Sequence, residues 1–435
     1  MASTYESSRV QLARLRKPGY DPWVIASTVA LVCLGLVMVY SASVSDSFTS
    51  GAGYYLIREA AFVACGLTAL AIGASVHYSV WQRLSPFMAV GCLLLLVFVL
   101  IPHIGTTSNG AQRWFQFKGF QVEPSEFAKL ALAMYFANWL SRKGDKVRSF
   151  AACTVPFGVM LGAVCILVLL QPDMGTAVVT ALAMITVYFV AGARMQHLAA
   201  GIFGGLAIAV LGVSVEGYRI QRIQVWENPF RYASGSGYHI VQVLIALGRG
   251  GLFGVGPGNS IQKYVLPAPF TDSIFAVTAE ELGFVGAMLI IGLFVLLAYR
   301  GFKIAREAPD DFGRLLAVGI TATIVIQAFV NIAVITNTVP FTGVPLPFIS
   351  YGGSSLVACM FGVGVLLNIS WQAGRRQQGK PQDDSEGTPR NANRHHRRKD
   401  GRTRVSGVGR RRVPVPAFVR ARFTGTTGIA QHTGR

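Results

Sequence analysis

The side chains able to do chemistry in this chain gather in a few places. Asp272 stands just ahead of a long apolar run, and Glu280 and Glu281 follow two helical turns deeper. Glu126 and Lys129 are three residues apart, a spacing that puts them on one helix face as an ion pair. Arg58 opens another apolar run, and Arg113 adjoins Trp114. Arginine and lysine hold phosphate, and a carboxylate beside them can take a proton. Each residue also has a plainer reading. Asp272 can simply cap the helix it precedes. Glu126 and Lys129 can be a buried pair that only fixes helix packing. Arg113 and Trp114 are residue types that anchor at a membrane interface.

The elements that must position these groups are membrane helices. The chain of 435 residues is 52% hydrophobic and 14% charged, with a mean hydropathy of +0.47. A soluble domain carries roughly 25% charged residues, so the polar surface that water requires is missing over most of the length. Ten stretches are long and apolar enough to cross a bilayer: 23–43, 55–75, 84–101, 124–140, 152–170, 175–192, 197–215, 273–298, 314–337 and 350–371. The fold class expected is an all-α integral membrane protein of about ten transmembrane helices. The first span follows Arg9, Arg14, Arg16 and Lys17 and is longer than a signal-peptide core, so it reads as an uncleaved helix.

Charge orients the bundle. With a cytoplasmic N-terminus, Arg142, Lys143, Arg148, Arg194 and the stretch from Arg300 to Arg314 all fall inside, while 44–54, 171–174 and 338–349 hold no lysine or arginine. Two segments on the other side, 102–123 and 216–272, exceed ordinary connectors. The larger contains Tyr238 to Ile245, whose apolar spacing suits an amphipathic interfacial helix. The domain reading is a cytoplasmic segment 1–21, a membrane domain 22–372, and a disordered basic cytoplasmic tail 373–435. After Trp371 sixteen Lys and Arg face four acids, so much of the net charge of +19 is local to that tail and does not argue for nucleic-acid binding.

Six cysteines lie in apolar runs without Cys-x-x-Cys spacing, and the histidines form no ligand cluster, so no protein-caged metal is expected. The glycines from Gly248 to Gly258 do not fit a dinucleotide fingerprint and are read as tight backbone turns. A polar cluster at the outer end of the bundle favours a ligand with a greasy end and an anionic head, a lipid phosphate. Whether such a ligand is moved or reacted stays open on these residues alone.

Several segments resemble the SEDS family (shape, elongation, division and sporulation), most of all its division branch. They are Gly35-Leu36-Val37-Met38-Val39-Tyr40-Ser41-Ala42-Ser43, Gly110-Ala111-Gln112-Arg113-Trp114, Glu123-Pro124-Ser125-Glu126-Phe127-Ala128-Lys129 and Gln171-Pro172-Asp173-Met174-Gly175-Thr176. Further along come Gly256-Pro257-Gly258-Asn259-Ser260-Ile261-Gln262-Lys263, Thr271-Asp272-Ser273-Ile274-Phe275-Ala276, Glu280-Glu281-Leu282-Gly283, and Pro345-Leu346-Pro347-Phe348-Ile349-Ser350-Tyr351-Gly352-Gly353-Ser354-Ser355. In order and spacing they span residues 20–372.

The resemblance implies a peptidoglycan glycosyltransferase that polymerises lipid II at the outer face of the bacterial cytoplasmic membrane, both termini being cytoplasmic. It makes Asp272 the catalytic base. Arg113, Trp114, Glu126, Lys129, Lys263, Glu280 and Ser354 become the substrate-binding set, with a divalent cation (Mg or Mn) compatible and no tightly bound cofactor. Implied partners are the nascent glycan strand, membrane lipids, a class B penicillin-binding protein with transpeptidase activity, and other division proteins at the septum. Two readings from other classes stand beside it: a lipid II flippase and a non-catalytic division scaffold. The sequence departs from the family pattern at Pro267-Ala268-Pro269-Phe270-Thr271-Asp272, where Pro-Glu-Ala-His-Thr-Asp is usual, and at His239, where a glutamine is usual.

Overall fold

The computed structural model describes residues 19–44, 53–108, 111–117, 120–201, 203–205 and 217–378. Helix α1 (Pro22–Ser43) starts where it does because the Asp21 carboxylate accepts the backbone amides of Trp23 and Val24, at 3.0 and 3.4 Å, with Pro22 in the first turn. The same carboxylate takes Arg300 Nε at 3.1 Å and its Nη2 as well, which fastens the start of α1 to a distant helix. Helices α2 (Tyr54–Ser75) and α3 (Tyr78–Val99) follow, then a small antiparallel sheet of β1 (Thr106–Ser108), β2 (Ala111–Phe117) and β3 (Phe120–Val122). Thr106 pairs with Trp114 and Phe115 with Val122. This sheet occupies the segment 102–123, for which no strand was expected; three short strands hold too few residues to show a clear alternation.

Helices α4 (Pro124–Ser141), α5 (Val155–Leu170) and α6 (Met174–Val190) come next. The segment 216–272 carries α7 (Gly217–Glu227) and α8 (Tyr238–Gly250), the latter matching the expected amphipathic helix. The bundle is completed by α9 (Ile274–Glu307), α10 (Asp311–Ile335) and α11 (Gly353–Gln378).

Nine of the ten expected spans coincide with helices, and the other, 197–215, lies outside the described residues beyond Gly205. Seven helices among the described residues are long and apolar enough to cross a membrane: α1, α2, α3, α5, α9, α10 and α11. The protein is a helical integral membrane protein. The last helix runs to Gln378, past the expected tail boundary at 373; residues 1–18 and 379–435 lie outside the described residues.

Helix α10 forms the interior, with Leu316, Ala317, Ile320 and Ala328 wholly shielded. Helices α2 and α3 instead turn Ile57, Leu67, Phe87 and Phe98 outward, the surface a bilayer solvates. Helix α2 lies very close against α11: a Cβ on Gly364 would come within 2.2 Å of the Leu70 carbonyl.

Helix α9 is broken at Gly283, whose φ of 67° and ψ of −168° no residue with a Cβ adopts comfortably. The break strands the Glu280 and Glu281 carbonyls and the Phe284 and Val285 amides, which an unbroken helix would pair with each other. The glycine-rich hairpin after α8 takes all four. Val255 N donates to Glu280 O and Gly256 N to Glu281 O, both at 3.0 Å. Phe284 N donates to Gly251 O at 2.9 Å and Val285 N to Leu252 O at 3.1 Å. The glycines read as turns therefore do more: they let two backbones approach until a Cβ on Gly283 would sit 2.3 Å from Gly254 N.

Gly283→Ala is expected to destabilise the protein by about 2–4 kcal/mol, as strain at a special backbone geometry does. Gly292→Ala in the same helix, where nothing lies within 4 Å, is the matched control. Thermal melting in detergent checks it: a drop of several degrees for Gly283→Ala, and little change for Gly292→Ala.

Candidate active site

A cavity of about 1080 Å³ opens at the end of the bundle that carries the sheet and the segment 216–272. Arg113, Trp114, Glu126, Asp272 and Ser354 from the predicted set all border it. So do residues that were not singled out for a site: Glu123, Arg222, Tyr55, Phe270, Phe341 and Tyr351.

Asp272 does not cap α9. The cap position belongs to Ser273, and the Asp272 carboxylate instead takes the Thr271 hydroxyl on Oδ1 at 2.9 Å. Its backbone carbonyl accepts Asn331 Nδ2 at 2.9 Å, and the same amide holds Val344 O at 2.7 Å. This ties the turn before α9 to the loop after α10. Gly343 in that loop has φ +65°, and a Cβ there would stand 3.4 Å from Asp272 Oδ2. The second carboxylate oxygen therefore has room because residue 343 lacks a side chain.

Arg113 projects from β2 and is pinned to the loop before α6. Its Nε donates to Gln171 O at 2.9 Å, Nη2 donates to Pro172 O, and Nη1 lies 3.7 Å from Asp173 Oδ2. Asp173 also caps α6 through the Thr176 amide at 3.0 Å. A guanidinium held this way presents a fixed positive charge with little rotamer entropy left to lose. Trp114 packs beside it, 5.9 Å from the guanidinium carbon to the ring centroid.

Lys129 is buried behind Glu126 rather than lining the cavity. Its ammonium donates to Glu126 Oε1 at 2.7 Å and to Gln327 Oε1 at 2.5 Å. Gln327 Nε2 in turn donates to Pro345 O at 3.1 Å. The pair is thus both a packing device and a charge under the cavity floor. Ser354 Oγ accepts the Glu123 amide at 3.0 Å, joining the first turn of α11 to the start of α4.

Besides Lys129, two members of the predicted set do not reach the cavity. Lys263 and Glu280 belong to a separate buried cluster around the break in α9. Lys263 Nζ donates to Gly258 O at 2.7 Å and lies 3.5 Å from Glu281 Oε1. Glu280 accepts the Ser260 hydroxyl at 2.5 Å and the Gln262 amide at 3.2 Å, with Arg249 Nε 3.3 Å away. Glu281 accepts Ser41 Oγ at 2.6 Å and the Gly258 amide at 2.9 Å. Glu280 was singled out as an ionisable group at depth and Lys263 through the family resemblance; their hydrogen bonds hold the hairpin.

Aromatic rings also line the cavity. Tyr55, Phe270 and Tyr351 stand with centroids 4.4 to 5.7 Å apart, and Arg58 donates to Tyr54 OH at 2.5 Å. Rings spread over three distant segments give no local pattern to a sequence reading. Arg222 donates to Phe341 O at 3.0 Å and was not singled out in the sequence. Glu123 had a visible signal, an acid directly before Pro124 at a helix start. Among the described residues no group of three or more His, Cys, Asp or Glu is placed to hold a metal. Positive charge at this cavity comes from arginine.

Burial, with Asp173 and Glu126 adding to it, pushes the Glu123 carboxyl up to about 7. A raised acid binds its proton more tightly folded than unfolded, so its ionisation costs stability as pH climbs from the ordinary carboxylate range through about 7. Glu123→Gln removes that slope. The variant is expected to gain in melting temperature over wild type at pH 8 and to differ much less at pH 5.

The profile of the FtsW/RodA/SpoVE family, described as cell cycle protein, matches residues 22–375. Stage V sporulation protein E of Bacillus subtilis is 42% identical over 360 residues, 82% of this chain and 98% of that protein. The probable peptidoglycan glycosyltransferase FtsW of Geobacter sulfurreducens is 41% identical over 357 residues, 81% of this chain and 95% of that protein. Among solved structures, a chain from a peptidoglycan synthase complex that coordinates polymerization and crosslinking aligns with a TM-score of 0.69 at 28% identity, covering 83% of this chain and 99% of that one. The rod shape determining protein RodA of Thermus thermophilus aligns at 0.61 and 29% identity, covering 83% and 98%. By the profile match and these identities, the chain belongs to the FtsW/RodA/SpoVE family.

Proposed function

We propose that this protein is a peptidoglycan glycosyltransferase that polymerises lipid II into glycan strands at the outer face of the bacterial cytoplasmic membrane. The observation that carries the reading is a carboxylate free of capping duty, Asp272, at the edge of a large cavity lined by arginines and aromatic rings. Relatives named as peptidoglycan glycosyltransferases, 41% identical along almost their whole length, support it.

Asp272 Oδ2 takes the proton of the acceptor sugar 4-hydroxyl as that oxygen attacks the donor anomeric carbon. The new oxygen–carbon bond forms while the bond from that carbon to the diphosphate oxygen breaks, and undecaprenyl diphosphate leaves with the electron pair. Arg113 meets the charge that grows on the diphosphate, in a fixed orientation that requires no reorganisation. Lys129 acts through Glu126 from below, and Trp114 offers a face to sugar or lipid. Ser354 sits at the rim and orders the start of α4. A divalent cation arriving on the diphosphate would meet Glu126 or Asp272 singly, since no cage is preformed.

The counts of lysine and arginine support cytoplasmic termini, with the cavity facing outward. The family's division members support action at the septum, and the similar synthase complex supports a partner that crosslinks the new strand, a class B penicillin-binding protein.

The test is lipid II polymerisation by the purified chain in detergent, with and without its cognate transpeptidase. Asp272→Asn is expected to lower the rate at least about 100-fold, as loss of a general base does. Gly343→Ala, which strains the backbone at φ +65° and brings a methyl into contact with Oδ2, is expected to lower it about tenfold. Normal polymerisation by folded Asp272→Asn would overturn the assignment of the base. A wild type that makes no polymer but passes lipid II across liposome membranes would replace the enzyme with a transporter.

A further inference from the structure

Ser273 occupies the cap position of α9 yet caps nothing. A serine there usually accepts an amide of the first turn, worth about 1 kcal/mol, from an extended backbone. Here its backbone is at φ −92° and ψ 4°, the sparsely populated bridge region. Its side chain is wholly buried and lies 2.7 Å from His239 Nε2. His239, the second residue of α8, borders the cavity with Asp272. The His239 ring meets Phe341 edge to face at 4.6 Å, and the Phe341 carbonyl is held by Arg222 at 3.0 Å. The other ring nitrogen, Nδ1, is buried without a hydrogen-bond partner. An imidazole wedged between Phe341 and Ser273 at such a cost to Nδ1 calls for a compensating role.

We infer that His239 is a positioning residue: its bond to Ser273 Oγ holds Ser273 out of the capping conformation and thereby aims Asp272 into the cavity. The inference rests on the glycosyltransferase reading for the meaning of that aim. The other ties of Asp272, Asn331 on its carbonyl and Thr271 on Oδ1, lie on or before residue 272. The Ser273 carbonyl accepts the Ala276 and Val277 amides at 2.9 and 3.4 Å, so what is left to His239 is the Ser273 side chain. Without it the Ser273 hydroxyl turns to the first-turn amides of α9, its backbone extends, and the carboxylate beside it swings. A shift of 1 Å in a reacting group costs on the order of 100-fold in rate.

His239→Ala is expected to lower kcat for lipid II polymerisation ten- to a hundredfold while KM stays within about twofold. Glutamine carries an amide nitrogen at similar reach, so His239→Gln is expected to recover most of the loss. The double variant His239→Ala/Ser273→Ala is expected to be no slower than His239→Ala alone, because the competing cap is gone. Hydrogen–deuterium exchange over residues 267–276 gives a readout independent of activity: faster in His239→Ala, and near wild type in His239→Gln. Unchanged kcat in His239→Ala, losses that multiply in the double variant, or an alanine–glutamine pair alike in both rate and exchange would each overturn the inference. An inactive wild type whose exchange still responds to His239→Ala would sink the glycosyltransferase reading while leaving the positioning role in place.

Discussion

A backbone polar group that faces lipid has no water to fall back on, and an unpaired one costs several kcal/mol. The break in α9 at Gly283 creates four such groups at once, and the hairpin after α8 takes up every one of them. Exposed apolar side chains, Phe253 and Phe284 among them, stand around the exchange, so a withdrawn hairpin would leave those groups in a largely apolar setting. This makes the segment from α8 to α9 a rigid unit. Lys263, Glu280 and Glu281 complete it: two buried carboxylates accept bonds from Ser41, Gly258, Ser260 and Gln262, the buried ammonium of Lys263 stands 3.5 Å from Glu281, and Arg249 stands 3.3 Å from Glu280. Charges so fully satisfied are tolerable at depth. The same unit delivers His239 and Asp272 to one cavity edge from opposite ends.

The cavity itself is polar by pairing rather than by exposure. Lys129 is held by Glu126 and Gln327, and Arg113 by the carbonyls of Gln171 and Pro172 with Asp173 nearby. Each cation thus keeps its place without a ligand, and an arriving diphosphate finds the guanidinium of Arg113, the one of the two that borders the cavity, already oriented. Preorganised charge of this kind favours a state with more negative charge on the departing oxygen, the direction a glycosyl transfer takes. The aromatic wall of Tyr55, Phe270 and Tyr351 offers the complementary surface for rings or hydrocarbon.

How much of this was legible in the residues depends on whether a signal was local. Spans such as Pro22–Ser43 and Asp311–Ile335 announced themselves by length and hydropathy. The helix at Tyr238 was visible in its apolar spacing, and the pairing of Glu126 with Lys129 in a separation of three. The sheet at 106–122 was not, because its strands are too short for alternation. Glu280 was drawn toward the ligand by its depth and Lys263 by the resemblance; nothing local says that Ser260, Gln262 and Gly258 wrap them. Arg222, Phe270 and Phe341 join the cavity only through tertiary packing, so no window of sequence contains them together. Asp272 was legible as a candidate and ambiguous as a cap, and geometry resolves the ambiguity through its neighbour.

That resolution bears on the two departures of this chain from its family's pattern. The segment before Asp272 reads Pro267-Ala268-Pro269-Phe270-Thr271, without the usual glutamate and histidine. In the structure Phe270 turns into the aromatic wall, its carbonyl takes the Tyr351 amide at 2.8 Å, and Thr271 bonds both Ala268 O and the Asp272 carboxylate. The turn is therefore shaped by apolar packing and its own backbone, and it needs no further ionisable group to stay formed. An imidazole nevertheless stands beside the base, supplied by His239 from α8. Burial pushes that imidazole toward its neutral form while the Asp272 carboxylate opposes the shift. A neutral ring can hold Ser273 without drawing the proton-accepting oxygen of Asp272 into an ion pair, which leaves the carboxylate free to serve as a base.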